Sequence, residues 1–269
     1  MRIQKLIVLG LMLLLASALM SLDVGVMYPI DMGSAYPAGV TSNGGKVAAY
    51  ISPWGGVMYW TEAEGVVSVD TNAEAGAIAD DGRIFGSKIN AALGYELPCY
   101  WDASNVYHEL PHLAYGQNSD QFFASIWSCN PAGTVLGGMQ WISGGVTTPV
   151  IWYLDGLGVW HILDLMPGDT THDGRVDAVS SDGTHVAGWM TDDFGIWVPT
   201  IWTIDASMNV SYEAAPAPPE GAYGSIQDFS PNGLYKAGYV NGRGALWNND
   251  DTFELFEQDN ASSWSNTTV

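Results

Sequence analysis

One short pattern occurs five times along the chain, and it limits the possible folds more than any other feature. The copies begin "AGVTSNGGKVAAY", "GAIADDGRIFGS", "SIWSCNPAGTVLGG", "DAVSSDGTHVAGW" and "SIQDFSPNGLYKAGY". Each has an alternating segment, a turn ending in glycine at Gly45, Gly82, Gly133, Gly183 or Gly233, and a second alternating segment. A small residue returns at Ala49, Gly86, Gly137, Gly188 and Gly238, and an apolar run then ends in Trp60, Trp101, Trp152, Trp202 and Trp247. In the three central copies the tryptophan follows the turn glycine by 19 residues.

Period-two alternation on both sides of a turn predicts paired strands, and Asn-Gly or Asp-Gly supplies the positive φ that a tight hairpin needs. A third strand carries the tryptophan, and a fourth follows a short polar turn, as in "DASNVYHEL" and "DDTFELFE". Each copy therefore reads as a four-stranded antiparallel meander of about 40 to 50 residues, the size of a propeller blade. Such a sheet cannot bury both faces alone, so neighbours must stack on it, with the indole beside the small glycine filling the gap between them. The predicted fold is all-β, a five-bladed β-propeller with repeats near 38–70, 76–113, 124–165, 176–213 and 224–257. Six blades or an incompletely closed ring is the alternative, because "VGVMYPI" ahead of the first copy resembles an extra fourth strand. On this reading the five tryptophans are structural wedges; the competing reading is a sugar-stacking platform on every blade.

The hairpin with its following tryptophan strand, clearest in "AVSSDGTHVAGW" and "PTIWT", resembles the HAF-type extracellular repeats of predicted bacterial secreted proteins. The resemblance runs from about Ala38 to Glu257. No His-Ala-Phe tripeptide precedes the tryptophans, and the third and fifth turns carry Pro131 and Pro231. It implies a secreted propeller-like protein and no particular activity.

The N-terminus supports export. Arg2 and Lys5 precede an apolar run that ends at Ala16-Ser17-Ala18, the form of a signal peptide over residues 1–18. The run is too short to span a bilayer. Lys and Arg total 8 against 29 Asp and Glu, a net charge of −21, which repels nucleic acid and anionic lipid. Glycans or proteins are the expected partners, at the cell surface, in the periplasm or outside the cell. Cys99 and Cys129 either pair across neighbouring repeats or remain buried thiols, and their spacing is unlike a zinc site. The polar tail 258–269 is read as lying outside the domain.

The connections between second and third strands, and those between blades, read as long and aromatic. They nominate Tyr95, Tyr115, Trp141, Asp192, Asp193, Phe194, Trp197 and Tyr223 as a ligand surface, where aromatic rings with neighbouring acids suit sugars or cations. No cofactor is expected, a noncanonical calcium site being the alternative. "DTTHDGRVD" mimics a calcium loop through Asp169, Asp173, Gly174 and Asp177, but Thr171 and Ser180 stand where ligands are required. No nucleophile elbow, Walker loop or zinc-protease spacing occurs. The function expected is a non-enzymatic binding or adhesion module. The rival is a glycoside hydrolase using first-strand acids, namely Asp80, Asp177 and Asp228.

Overall fold

The computed structural model describes residues 30–92, 94–113, 124–142, 145–217, 223–249 and 252–256. The signal-like segment, Tyr115, "VGVMYPI" up to Pro29 and the tail lie outside them. The chain divides into Met1–Gly33 and Ser34–Val269. In the first unit residues 30–33 are described and hold no strand.

Among its described residues the second unit holds five four-stranded antiparallel sheets, each in simple sequential order. The first contains β1 (Tyr36–Val40), β2 (Val47–Ile51), β3 (Gly56–Thr61) and β4 (Gly65–Asp70). The second contains β5 (Ala73–Ile78), β6 (Ile84–Asn90), β7 (Tyr95–Trp101) and β8 (Tyr107–Glu109). The third contains β9 (Ala124–Cys129), β10 (Val135–Trp141), β11 (Thr147–Leu154) and β12 (Trp160–Asp164). The fourth contains β13 (Gly174–Val179), β14 (His185–Thr191), β15 (Trp197–Ile204) and β16 (Val210–Ala214). The fifth contains β17 (Gly224–Phe229), β18 (Tyr235–Val240), β19 (Arg243–Asn248) and β20 (Phe253–Leu255).

Four apolar clusters join successive sheets, and each contains one repeat tryptophan: Trp101, Trp152, Trp202 and Trp247. All four side chains are at most 1% exposed. They are wedges, as the repeat predicts, and not sugar platforms. Three of the indole N–H groups reach back to the sheet before: Trp101 to Asp70 Oδ2 (2.9 Å), Trp152 to the Pro111 carbonyl (2.7 Å) and Trp247 to the Pro216 carbonyl (2.8 Å). Trp60, in the first sheet, is only half-buried, and among the described residues no apolar cluster joins the last sheet to the first.

The structure corrects the sequence reading of the small residues. In the first turn the residue with positive φ is Gly44 (φ 70°), not Gly45; its counterparts are Gly82, Gly133, Gly183 and Gly233. The residue before each of these glycines has an ordinary φ, and in four turns it is an Asn or Asp whose carboxyl or amide oxygen accepts a backbone N–H two residues on. These are Asx-stabilised four-residue turns, not two-residue primed turns. The recurring second-strand glycine also has a different reason. Each of the five first strands carries a β-bulge. Opposite it, a Cβ on Gly86, Gly138, Gly188 or Gly238 would lie within 2.1 Å of a first-strand carbonyl oxygen. The aligned residue in the third sheet is thus Gly138, one beyond Gly137.

The connections between second and third strands are not long. They cover 52–55, 91–94, 142–146, 192–196 and 241–242, because the strands extend through Tyr95, Trp141 and Trp197. The longer connections, 110–123, 165–173 and 215–223, lie between sheets. Cys99 and Cys129 are both free thiols, and burial raises the pKa of each.

Candidate functional site

The first strands β1, β5, β9, β13 and β17 neighbour one another in order and form the inner edge of the assembly. The bulge places one extra residue on each of them: Ala38, Gly76, Trp127, Asp177 and Gln227. Bulges redirect side chains and are common beside functional sites. The first two sheets carry small residues at this position, while the last three carry an indole, a carboxylate and an amide. The turn glycine and wedge recur, whereas this inner position changes in chemistry from copy to copy.

Asp177 organises this patch. Its Oδ1 accepts Arg175 Nε at 2.5 Å, and its Oδ2 accepts Ser225 Oγ at 2.6 Å and Gln227 Nε2 at 2.9 Å. Burial pushes the carboxyl above the usual range, opposed by the Arg175 charge and these donors. The Arg175 guanidinium stacks 3.9 Å from the centre of the Trp127 ring, a cation–π contact, and lies 5.8 Å from that of Trp189. Trp127 Nε1 donates to Ser125 Oγ at 2.8 Å, and the residue is 42% exposed. A large indole is thus held rigidly while its surface remains open to solvent.

An aromatic ladder leads outward from Arg175. Trp189 pairs with Arg175 across β13 and β14, and Trp197 pairs with Thr191, two places along from Trp189. That diagonal brings the two indoles face to face at 4.1 Å and 10°. Tyr223 stacks on Trp197 at 5.4 Å, and Tyr239 tilts against Tyr223 at 6.4 Å. Of the residues nominated from sequence, Trp197 and Tyr223 therefore belong to one surface.

The others do not join it. Tyr95 packs against the core between the second and third sheets. Trp141 ends β10, opposite Thr147, and makes no ring contact with the ladder. Asp192 caps its own turn by accepting the Phe194 and Ile196 N–H groups, which leaves Phe194 at the tip, 88% exposed. Asp193 pairs with His172 Nε2 at 3.2 Å, and Asp169 holds Nδ1 at 2.7 Å. Tyr115 lies outside the described residues. The supposed calcium loop is dispersed. Asp169 caps Thr171 and His172, Asp173 accepts from Thr147, and Asp177 faces the inner edge. Among the described residues no group of three or more metal-ligating side chains occurs.

The acids proposed for hydrolysis are also rearranged. Asp80 accepts the N–H and hydroxyl of Ser42 at 2.7 and 2.6 Å, a staple between the first two turns that holds its pKa down. Asp228 is exposed on β17, and the protein flanking it raises its pKa. Glu74 was missed because β5 begins at Ala73, earlier than alternation indicates. It accepts the Trp54 N–H beside Glu96, a 2% exposed carboxyl that burial pushes up to about 7 and that accepts from Trp54 Nε1 and Ser87 Oγ. This second cluster is closed by its own donors. A groove of about 660 Å³ between the fourth and fifth sheets is lined by residues that include Asp182, His185, Glu213 and Lys236 and shares none with the ladder.

No family model and no curated protein matches the chain. Among solved structures it is similar to TolB from Acinetobacter baumannii, with a TM-score of 0.55 and 16% identity over 81% of this chain and 53% of that one. It is similar to a putative TolB from Agrobacterium tumefaciens, with a TM-score of 0.57 and 15% identity over 82% and 79%. Virginiamycin B lyase from Staphylococcus aureus gives a TM-score of 0.51 and 14% identity over 86% and 72%. The chain thus spans about half the length of the first of these proteins. At such identities the likeness carries the fold alone, and that fold is a β-propeller.

Proposed function

We propose that this protein is an exported, five-bladed binding module that performs no catalysis and holds a glycan at the inner edge of its last three sheets. The observation that carries this reading is the exposed Trp127 indole, fixed by Arg175 on one side and by Ser125 at its N–H. Exposed, immobilised indoles suit the C–H faces of sugar rings, because stacking costs little further side-chain entropy. Gln227 donates to the same Asp177 that holds Arg175, and Tyr223 extends the aromatic surface by stacking on Trp197. Export rests on the signal-like N-terminus, and the acidic surface disfavours nucleic acid as a partner.

Hydrolysis is the weaker reading, since Asp80 and Asp177 are saturated by protein donors. The test is a glycan array probed with the wild type and with Trp127→Ala. The proposal expects a defined set of bound glycans that the variant loses while its melting temperature changes by less than about 2 °C, as for a surface truncation. Retained binding by Trp127→Ala overturns it, as does turnover of chromogenic glycosides that Asp228→Asn abolishes.

A further inference from the structure

We infer that the sugar held at this patch carries a carboxylate, as a uronic acid does, and that Arg175 selects it. This rests on the glycan-binding proposal above and narrows it. The argument begins with the hydrogen-bond inventory of one guanidinium. Arg175 Nε is taken by Asp177, and its two terminal amino groups donate to no protein acceptor among the described residues. The side chain is 18% exposed, and neither terminal nitrogen is among the described polar atoms buried without a partner, so this edge is open to an incoming ligand.

The blade itself does not require this arginine. The aligned position two places before the bulge is Glu74 in the second sheet, Ser125 in the third and Ser225 in the fifth. Other basic side chains are consumed internally: Arg83 binds Asp81 and the Ala132 carbonyl, and Lys88 binds both oxygens of Asp70. Arg175 differs because its Nε side is anchored and its plane is clamped on Trp127, while the edge formed by the terminal amino groups is left unpaired.

A fixed, planar pair of donors matches a carboxylate through two parallel hydrogen bonds, a geometry lysine cannot reproduce. Trp127 beside it receives the ring that bears the carboxylate. The net charge of −21 opposes a polyanion. The fitting ligand therefore presents one carboxylate on a stacking ring, as a single or terminal uronic acid does.

The full chain is titrated with methyl β-glucuronide and with methyl β-glucoside, followed by intrinsic tryptophan fluorescence. The glucuronide is expected to bind about tenfold or more tightly than the glucoside, equivalent to about 1.4 kcal/mol. Arg175→Lys keeps a positive charge beside Asp177. It is expected to weaken the glucuronide by about tenfold more than it weakens the glucoside, so that the preference between the two sugars falls, with folding checked by thermal melt. Trp127→Phe is expected to weaken both sugars. Equal affinity for the two sugars, or glucuronide binding unaffected by Arg175→Lys, overturns the inference. If neither sugar binds but neutral array glycans still depend on Trp127, the inference fails and the glycan-binding proposal stands. If no glycan binds at all, both fail.

Discussion

Trp152 donates its indole N–H to the carbonyl oxygen of Pro111 at 2.7 Å, linking the third strand of one sheet to the segment that leaves the sheet before it. The same bond recurs from Trp247 to Pro216, whereas the Trp202 N–H is buried without an acceptor. The wedge thus combines an apolar body with a polar tip, and only the apolar part is common to all four interfaces.

Removing the body should cost more than removing the tip. Trp152→Ala is expected to destabilise by about 3 to 5 kcal/mol, the range for deleting a buried large aromatic, while Trp152→Phe should lose less. Trp60→Ala, at the half-buried first position, should cost clearly less than either alanine change at Trp152 or Trp202. Chemical denaturation of the four variants checks the order.

The turn glycines give a sharper test of local geometry. Gly44 has a φ of 70° with nothing near a prospective Cβ, while Gly45 has an ordinary φ. Gly44→Ala should cost about 1 kcal/mol through backbone strain, and Gly45→Ala should cost less. At Gly188 a Cβ would meet the Arg175 carbonyl oxygen at 2.0 Å, so Gly188→Ala should be more damaging than both and should also disturb the inner edge. Thermal melts of the three proteins measure this order.

The buried Glu96 predicts a pH dependence of definite sign. Burial raises its pKa from 4.5 to about 7 in the folded protein, with the neighbouring Glu74 charge adding to the rise and the Trp54 and Ser87 donors opposing it. Between those values the folded state holds more protons than the unfolded one, so this group's contribution to stability falls as pH rises from about 4.5 to 7 and then levels off. Glu96→Gln should stabilise the protein at pH 8 relative to wild type and change little at pH 4. The difference between the two stability profiles isolates this group from the many carboxylates with lowered pKa.

His172 shifts stability with pH in the same direction, but from a favourable pairing and not from burial. Its hydrogen bond to Asp169, then that to Asp193, raise its pKa above 6.5, so the pair stabilises the fold below that value and the contribution is lost as pH rises through the folded pKa. Asp169→Asn should lower the His172 pKa, and Asp193→Asn should lower it less. An NMR titration of the imidazole resolves both shifts.

Much of the scaffold is legible before any coordinates, and the reason is repetition. Five copies of one pattern average out local noise, so strand count, meander order and the buried role of Trp101, Trp152, Trp202 and Trp247 all follow. The inner edge is harder to read because a bulge breaks period-two alternation at the residue that matters. "RVDAV" looks like the start of an ordinary strand, yet it places Arg175 and Asp177 together. Tyr95, Trp141 and Trp197 were read as loop residues because aromatic and polar residues mix there, whereas strand pairing continues through all three. Trp197 and Tyr223 were found by their aromatic character alone; Trp127, Trp189 and Tyr239 were missed because each sits inside a strand segment that reads as structural.

Backbone hydrogen exchange with and without a saturating array-identified glycan tests most directly whether the inner edge is the binding surface. The account predicts slowed exchange in β9, β13 and β17 and around Tyr223, with little change at the turns near Gly82 and Gly133. Protection confined to residues 180–185 and 229–236, along the groove between the fourth and fifth sheets, would contradict it.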